Sequence, residues 1–243
     1  MTYIIAVIKK DVNPIFPYIS DSGTFSPESC IFGQMLNTGA ILMVMLIYVR
    51  HRQISYICEK HNLQHLVKSK NLISSWFGGL GAFGITIVGN FQETNVFFVH
   101  IIGAFLSFGF GAVWQVLQTW ISFKVFPYSG TTSQNKIRFF FSTICVFSFV
   151  TSSFCGLLGW FYFTGDDPTK WRKNDGGFAF HIISTISEWI NAVIFAAFVL
   201  TFAPELKNVG FEEPRIRIWE KVVVESVVIS QSTLSNGEEF DRY

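Results

Sequence analysis

The chain has 243 residues, of which 50% are hydrophobic and only 14% charged, against about 25% charge in an ordinary soluble domain. The charges sit in gaps between long apolar runs, which excludes a water-soluble globule, whose outer face would need them. The net charge of +1 carries no basic stripe and excludes a nucleic-acid partner.

The chain opens with an apolar stretch, Thr2 to Ile8, followed by Lys9 and Lys10. It is too short for a signal peptide and reads as the tail of an earlier span. An omitted upstream exon, an alternative start or an incomplete gene model accounts for it, and the parent would have six spans. Next come Pro14 to Gly23, mixing prolines, Phe16, Tyr18 and an Asp21-Ser22-Gly23 turn signal. Restricted backbone and interfacial aromatics predict an ordered cap over the bundle.

About 20 apolar residues cross the hydrocarbon core, and five runs supply them. They cover about 31–49, 71–92, 96–123, 139–164 and 178–202. Each must be a helix, because lipid offers no partner for backbone polar groups. The expected fold is therefore all-α: a polytopic transmembrane helix bundle over residues 1–203, with a C-terminal tail over 204–243. Gly78, Gly79, Gly81, Gly84 and Gly89 in the second run, with Gly103, Gly109 and Gly111 in the third, predict close helix contacts. The stretch 216–229 mixes Val, Ile and Trp219 with charges and could lie on the membrane or pair with a partner. The last residues, 230–243, are polar and read as disordered.

Orientation follows from Lys and Arg. The loops Arg50–Lys70 and Lys124–Arg138 share one side with the tail and hold 13 basic residues, against five on the other side. The positive-inside rule places the tail in the cytosol. The segment before Ile31, the Glu93 turn and the loop 165–177 then face the lumen.

Polar groups inside the runs gather toward that lumenal side. Gln34, Asn37, Asn90 and His100 lie near it, and His181, Thr185, Glu188 and Asn191 recur at helical spacing on one face. A charge buried in lipid needs a partner or a wet cavity, so Glu188 is expected to pair with His100 or, less directly, His181. His100, His181, Glu188, Asn191, Asn37 and Asn90 form the candidate lumenal cluster. It reads either as glue between helices or as a site for a lipid headgroup, a proton or a small solute. No HExxH or other catalytic pattern accompanies it, so no catalytic residue, metal or cofactor is expected. Cys30, Cys58, Cys145 and Cys155 form no CxxC pair. Cys58, in a basic segment, is a free thiol or a palmitoylation position. No Asn-x-Ser/Thr acceptor occurs.

The segment Pro17 to Thr24, then Pro27-Glu28 and Ile31-Phe32-Gly33, resembles the signature of the damage-regulated autophagy modulator (DRAM) family. Asn90-Phe91-Gln92-Glu93, His100 with Gly103-Ala104, His181 with Glu188-Trp189, and Leu200-Thr201-Phe202 extend the resemblance. Pro17, Tyr18, Ser20, Asp21 and Gly23 are the signature loop. The resemblance implies a six-span protein of lysosomal and related membranes that promotes autophagy, can contribute to apoptosis and keeps its C-terminus in the cytosol. It implies no catalytic residues, and its partners would be the bilayer and unidentified membrane or cytosolic proteins. The wider Frag/DRAM/Sfk-type superfamily includes a GPI-anchor remodelling factor and a regulator of phosphoinositide kinase, which adds lipid binding or lipid remodelling as the alternative function. Two departures stand out: most of the family's first span is missing, and Trp171-Arg172-Lys173 replaces the family's Trp-Asn-Pro.

Overall fold

The computed structural model describes residues 1–207 and 209–210, and the expectations for the distal tail fall outside the described residues. Five helices are long and apolar enough to cross a membrane: Glu28–Lys60, Gln64–Asn90, Phe97–Val125, Thr132–Tyr162 and Phe178–Leu206. All elements among the described residues are helical. In chain order they are α1 (Thr2–Lys9), α2 (Glu28–Lys60), α3 (Gln64–Asn90), α4 (Phe97–Ala104), α5 (Gly111–Val125), α6 (Thr132–Tyr162), α7 (Phe178–Leu200) and α8 (Ala203–Leu206). A π-helical segment, Phe105–Phe110, joins α4 to α5 without breaking the third span.

The helices are longer than the apolar runs. At 1.5 Å per residue, the 33 residues of α2 reach about 50 Å, well past a hydrocarbon core of about 30 Å. What reads in the sequence as a loop from Arg50 to Lys70 is therefore mostly helix, with a turn of only three residues between α2 and α3. The expected loop from Lys124 to Arg138 likewise shrinks, because α6 begins at Thr132. There Thr131 accepts from the Gln134 N–H at 3.2 Å while Gln134 accepts from the Thr131 N–H at 2.7 Å, a reciprocal cap that satisfies two donors of the helix start.

The core is built around Trp114, which is fully buried among Met43, Ile47, Ala82, Phe198 and Phe202. Helices α2, α3, α5 and α7 all contribute to it. Gly78 is what admits the indole: a Cβ there would come within 2.7 Å of Trp114 Cδ1 and 2.8 Å of Ile47 Cδ1. Gly84 does the same for backbone, since a Cβ would collide with Ser107 N and lie 2.7 Å from Gly103 O. A second cluster, Ile54, Ile57, Val67, Ile121 and Val125, packs the projecting part of the α2–α3 hairpin onto α5. Outward, Phe98, Phe147, Leu157 and Phe161 are more than two-thirds exposed, as a lipid-facing wall requires.

Candidate functional site: two polar ends of the bundle

One end is closed by the segment before α2. Pro17 and its neighbours lie against α7, where Trp189 Nε1–H donates to Pro17 O at 3.0 Å and Tyr18 Oη–H to Ser184 Oγ at 2.9 Å. Asp21 begins a short 3-10 turn and accepts the Tyr18 N–H at 3.0 Å, the local bond that Asp favours at such positions. Ser20 Oγ–H donates to Glu93 Oε2 at 2.8 Å, tying the cap to the α3–α4 turn. Gly23 fits only because it has no side chain, as its Cβ would strike the Phe32 ring. At the start of α2, buried Glu28 receives Lys9 Nζ at 3.1 Å, and Asp11 receives the same ammonium at 3.0 Å. These two carboxylates raise the pKa of Lys9.

The expected polar cluster is distributed over this half of the bundle rather than gathered at one point. Asn37 and Asn90 exchange amide hydrogen bonds of 3.1 and 3.0 Å across α2 and α3. His100 bonds through Nδ1 to Phe91 O at 2.7 Å, and a carbonyl partner makes Nδ1 the donor. His181 lies between Trp171, stacked at 4.3 Å, and Tyr18, edge-on at 5.2 Å. Asn191 is deeper, donating to Cys145 O at 3.0 Å, while Cys145 also meets Gln115 Nε2 at 3.1 Å. Glu188 makes no ion pair with either histidine among the described residues. Its carboxylate is instead approached by the Ile19 N–H and shares the fields of Glu93 and Asp21.

The signature loop therefore does come together with the last span: Pro17, Tyr18, Ser20 and Asp21 bond to α7, to Glu93 or within the cap. Burial, reinforced by the Glu93 and Glu188 carboxylates, pushes Asp21 well above the usual carboxylate range, against the opposing hydrogen bond from Tyr18 N–H. Burial likewise raises the Tyr18 phenol.

The opposite end holds what sequence reasoning placed in loops. Arg50 and Arg138 are 1% and 0% exposed, and both close on Glu205 of α8, at 2.8 and 3.1 Å. Arg50 also reaches Gln53 at 2.8 Å, Gln118 at 3.3 Å and Ser122 at 3.3 Å. Arg138 reaches Ser122 at 3.0 Å and Thr201 through both its hydroxyl and its carbonyl at 2.9 Å. Both guanidiniums lie over the Phe202 ring, at 4.9 and 4.2 Å. The signal was present: Arg50 directly ends one uncharged run and Arg138 directly precedes another. Both of these charges, flush with an apolar boundary, lie on a helix and not beyond it.

A bundle of apolar spans, capped at one end by a loop folded onto its last helix and tied at the other by buried ion pairs, defines a multi-pass α-helical membrane protein. The Frag1/DRAM/Sfk1/Cwh43P N-terminal domain family matches residues 1–209, and the chain belongs to that family. It is 34% identical to DNA damage-regulated autophagy modulator protein 2 of Bos taurus, covering 86% of this chain and 79% of that protein. It is 35% identical to DNA damage-regulated autophagy modulator protein 1 of Homo sapiens, covering 86% and 85%. A shorter similarity, 42% over 54% of this chain and 53% of the relative, is to Modulator of macroautophagy TMEM150B-B of Xenopus laevis. No solved structure matches.

Proposed function

We propose that this chain modulates autophagy from the lysosomal or a related endomembrane, contributes to apoptosis, and acts through partners rather than by catalysis. The observation that carries this is similarity along the whole helical bundle to proteins named as autophagy modulators. The non-catalytic reading is supported by the relatives, which are named as modulators. The excess of Lys and Arg on the side of the tail supports a cytosolic C-terminus, with the cap facing the lumen.

The test is rescue. Cells lacking the protein regain autophagic flux, read as turnover of a lipidated autophagosome marker, when the chain is restored, and the chain co-sediments with lysosomal membranes. Unchanged flux with the protein correctly delivered to those membranes refutes the reading.

A further inference from the structure

Beside the contact between Gly33 and Gly89, a groove of about 310 Å³ opens on the outer wall of the bundle. A Cβ on Gly33 would lie 2.6 Å from Gly89 O, so the two helices touch backbone to backbone beneath it. Gln34 and Asn37 come from the first turns of α2, Asn90 ends α3, and Gln92 follows it. The groove therefore lies where the spans meet the cap-end interface of the bilayer.

Its chemistry is specific. No lining side chain is charged. The lining offers both donors and acceptors, in amides that are not saturated. Among the described residues Asn37 commits one of its two N–H donors, to Asn90. Gln34 commits one, to Thr38 Oγ1 at 3.3 Å. Gln92 accepts from Asn95 at 3.4 Å and donates to none of them. Amides on a lipid-facing wall are unfavourable without partners.

Below the groove the surface turns apolar on both helices. Steps of four and three residues from Asn37 lead to Ile41, Met45 and Tyr48, all more than half exposed. The corresponding steps from Asn90 lead through Thr86 to Phe83, Gly79 and Trp76. Phe83 and Trp76 are also more than half exposed, and Gly79 has nothing within 4 Å of its Cβ position. Because α2 and α3 are antiparallel neighbours, both stripes descend from the same polar mouth, with a gap at Gly79.

We propose that this groove binds a bilayer lipid with an uncharged head rich in hydroxyl and carbonyl groups, of the diacylglycerol type, whose chains lie along the two stripes. A volume of about 310 Å³ is at the small end of ligand sites and suits a head rather than a whole molecule. The absence of any lining cation argues against an anionic headgroup. The site holds or falls independently of the autophagy reading, since it concerns only the wall of the bundle.

Cys30 lines the groove and is exposed, whereas Cys58, Cys145 and Cys155 are buried. N-ethylmaleimide labelling of the full chain in phosphatidylcholine nanodiscs therefore reads the groove directly. Adding dioleoylglycerol at about a tenth of the lipid is expected to slow Cys30 labelling at least about threefold. The same fraction of phosphatidylserine, or free glycerol in the buffer, is expected to leave the rate unchanged. Asn37→Leu removes the amide pair and is expected to abolish the protection. Gln34→Ala, at an exposed position that needs no repacking, is expected to weaken it. Protection equal with phosphatidylserine, protection by soluble glycerol, or protection that scales with protein per disc and so reports a second copy would each overturn the proposal. No effect of dioleoylglycerol on correctly folded protein would do the same.

Discussion

Arg138 grips Glu205 with both arms of its guanidinium: Nη1 lies 3.1 Å from Oε1, and Nη2 lies 3.1 Å from Oε2. This two-pronged pairing is the geometry that guanidinium and carboxylate share. Arg50 joins the same carboxylate from α2. A single side chain on α8 thus ties Arg50 of α2 to Arg138 of α6. Glu205→Gln leaves two buried guanidiniums facing a neutral amide. Breaking such a pair costs about 3–5 kcal/mol, and a loss of that order is expected in detergent unfolding. Arg138→Lys keeps the charge but not the fork, and is expected to lose stability too.

The cap offers a smaller and cleaner measurement. Tyr18→Phe deletes only the hydroxyl that donates to Ser184. One hydrogen bond of this kind contributes about 0.5–1.5 kcal/mol. Hydrogen exchange of the Pro14 to Gly23 amides is expected to quicken by a corresponding factor. Ser184 also bonds to Ser152 O at 2.8 Å, so Ser184→Ala is expected to cost more than Tyr18→Phe. Equal exchange in the wild type and Tyr18→Phe would show that the bond does not hold the cap.

The cap is expected to be firmer in acid. Asp21 is raised above its ordinary value by burial and by Glu93 and Glu188, with Asp167 and Tyr18 also near. Folding therefore favours its protonated form. The native state binds more protons than the unfolded one between the ordinary carboxyl pKa and the raised one. By linkage, that contribution is complete below about pH 4, the unfolded value, and is lost as pH rises through the folded value. Limited proteolysis of the Pro14 to Gly23 segment should accelerate as pH rises above about 4. Asp21→Asn should flatten the profile; a profile unchanged by that substitution would place the titration elsewhere.

Two glycines in one helix should respond differently. Gly84→Val drives a branched side chain into the backbone of Ser107 in the π-helical segment and of Gly103 on α4. Overpacking of this kind costs about 1–3 kcal/mol, occasionally more. Gly79→Ala meets nothing within 4 Å and is expected to change stability by no more than about 0.5 kcal/mol. Thermal unfolding of the two variants in one detergent checks the contrast.

The spans were legible because lipid imposes one rule on every residue of a run: about 20 apolar positions with no charge. The ordered cap was legible too, through Pro17, Tyr18 and the Asp21-Ser22-Gly23 turn. Arg50 and Arg138 were misplaced because hydropathy marks where oil ends, not where the helix ends. Side-chain length adds to the difficulty, since an arginine can reach back into a bundle from beyond the apolar boundary. His181, Glu188 and Asn191 recur at helical spacing, yet spacing along one helix says nothing about which neighbour each group meets. Trp171 against His181, Ile19 against Glu188 and Cys145 against Asn191 are long-range relations. The Asn37–Asn90 pair was half visible, as two amides at equal depth on adjacent spans.

The bond from Trp189 to Pro17 joins residues 172 positions apart in the chain. Translation at about 5–20 residues per second separates the two by roughly 10–35 s. Throughout that interval the cap segment has no α7 to settle on. Closure of the cap thus waits for the last span, which supplies Trp189 and Ser184.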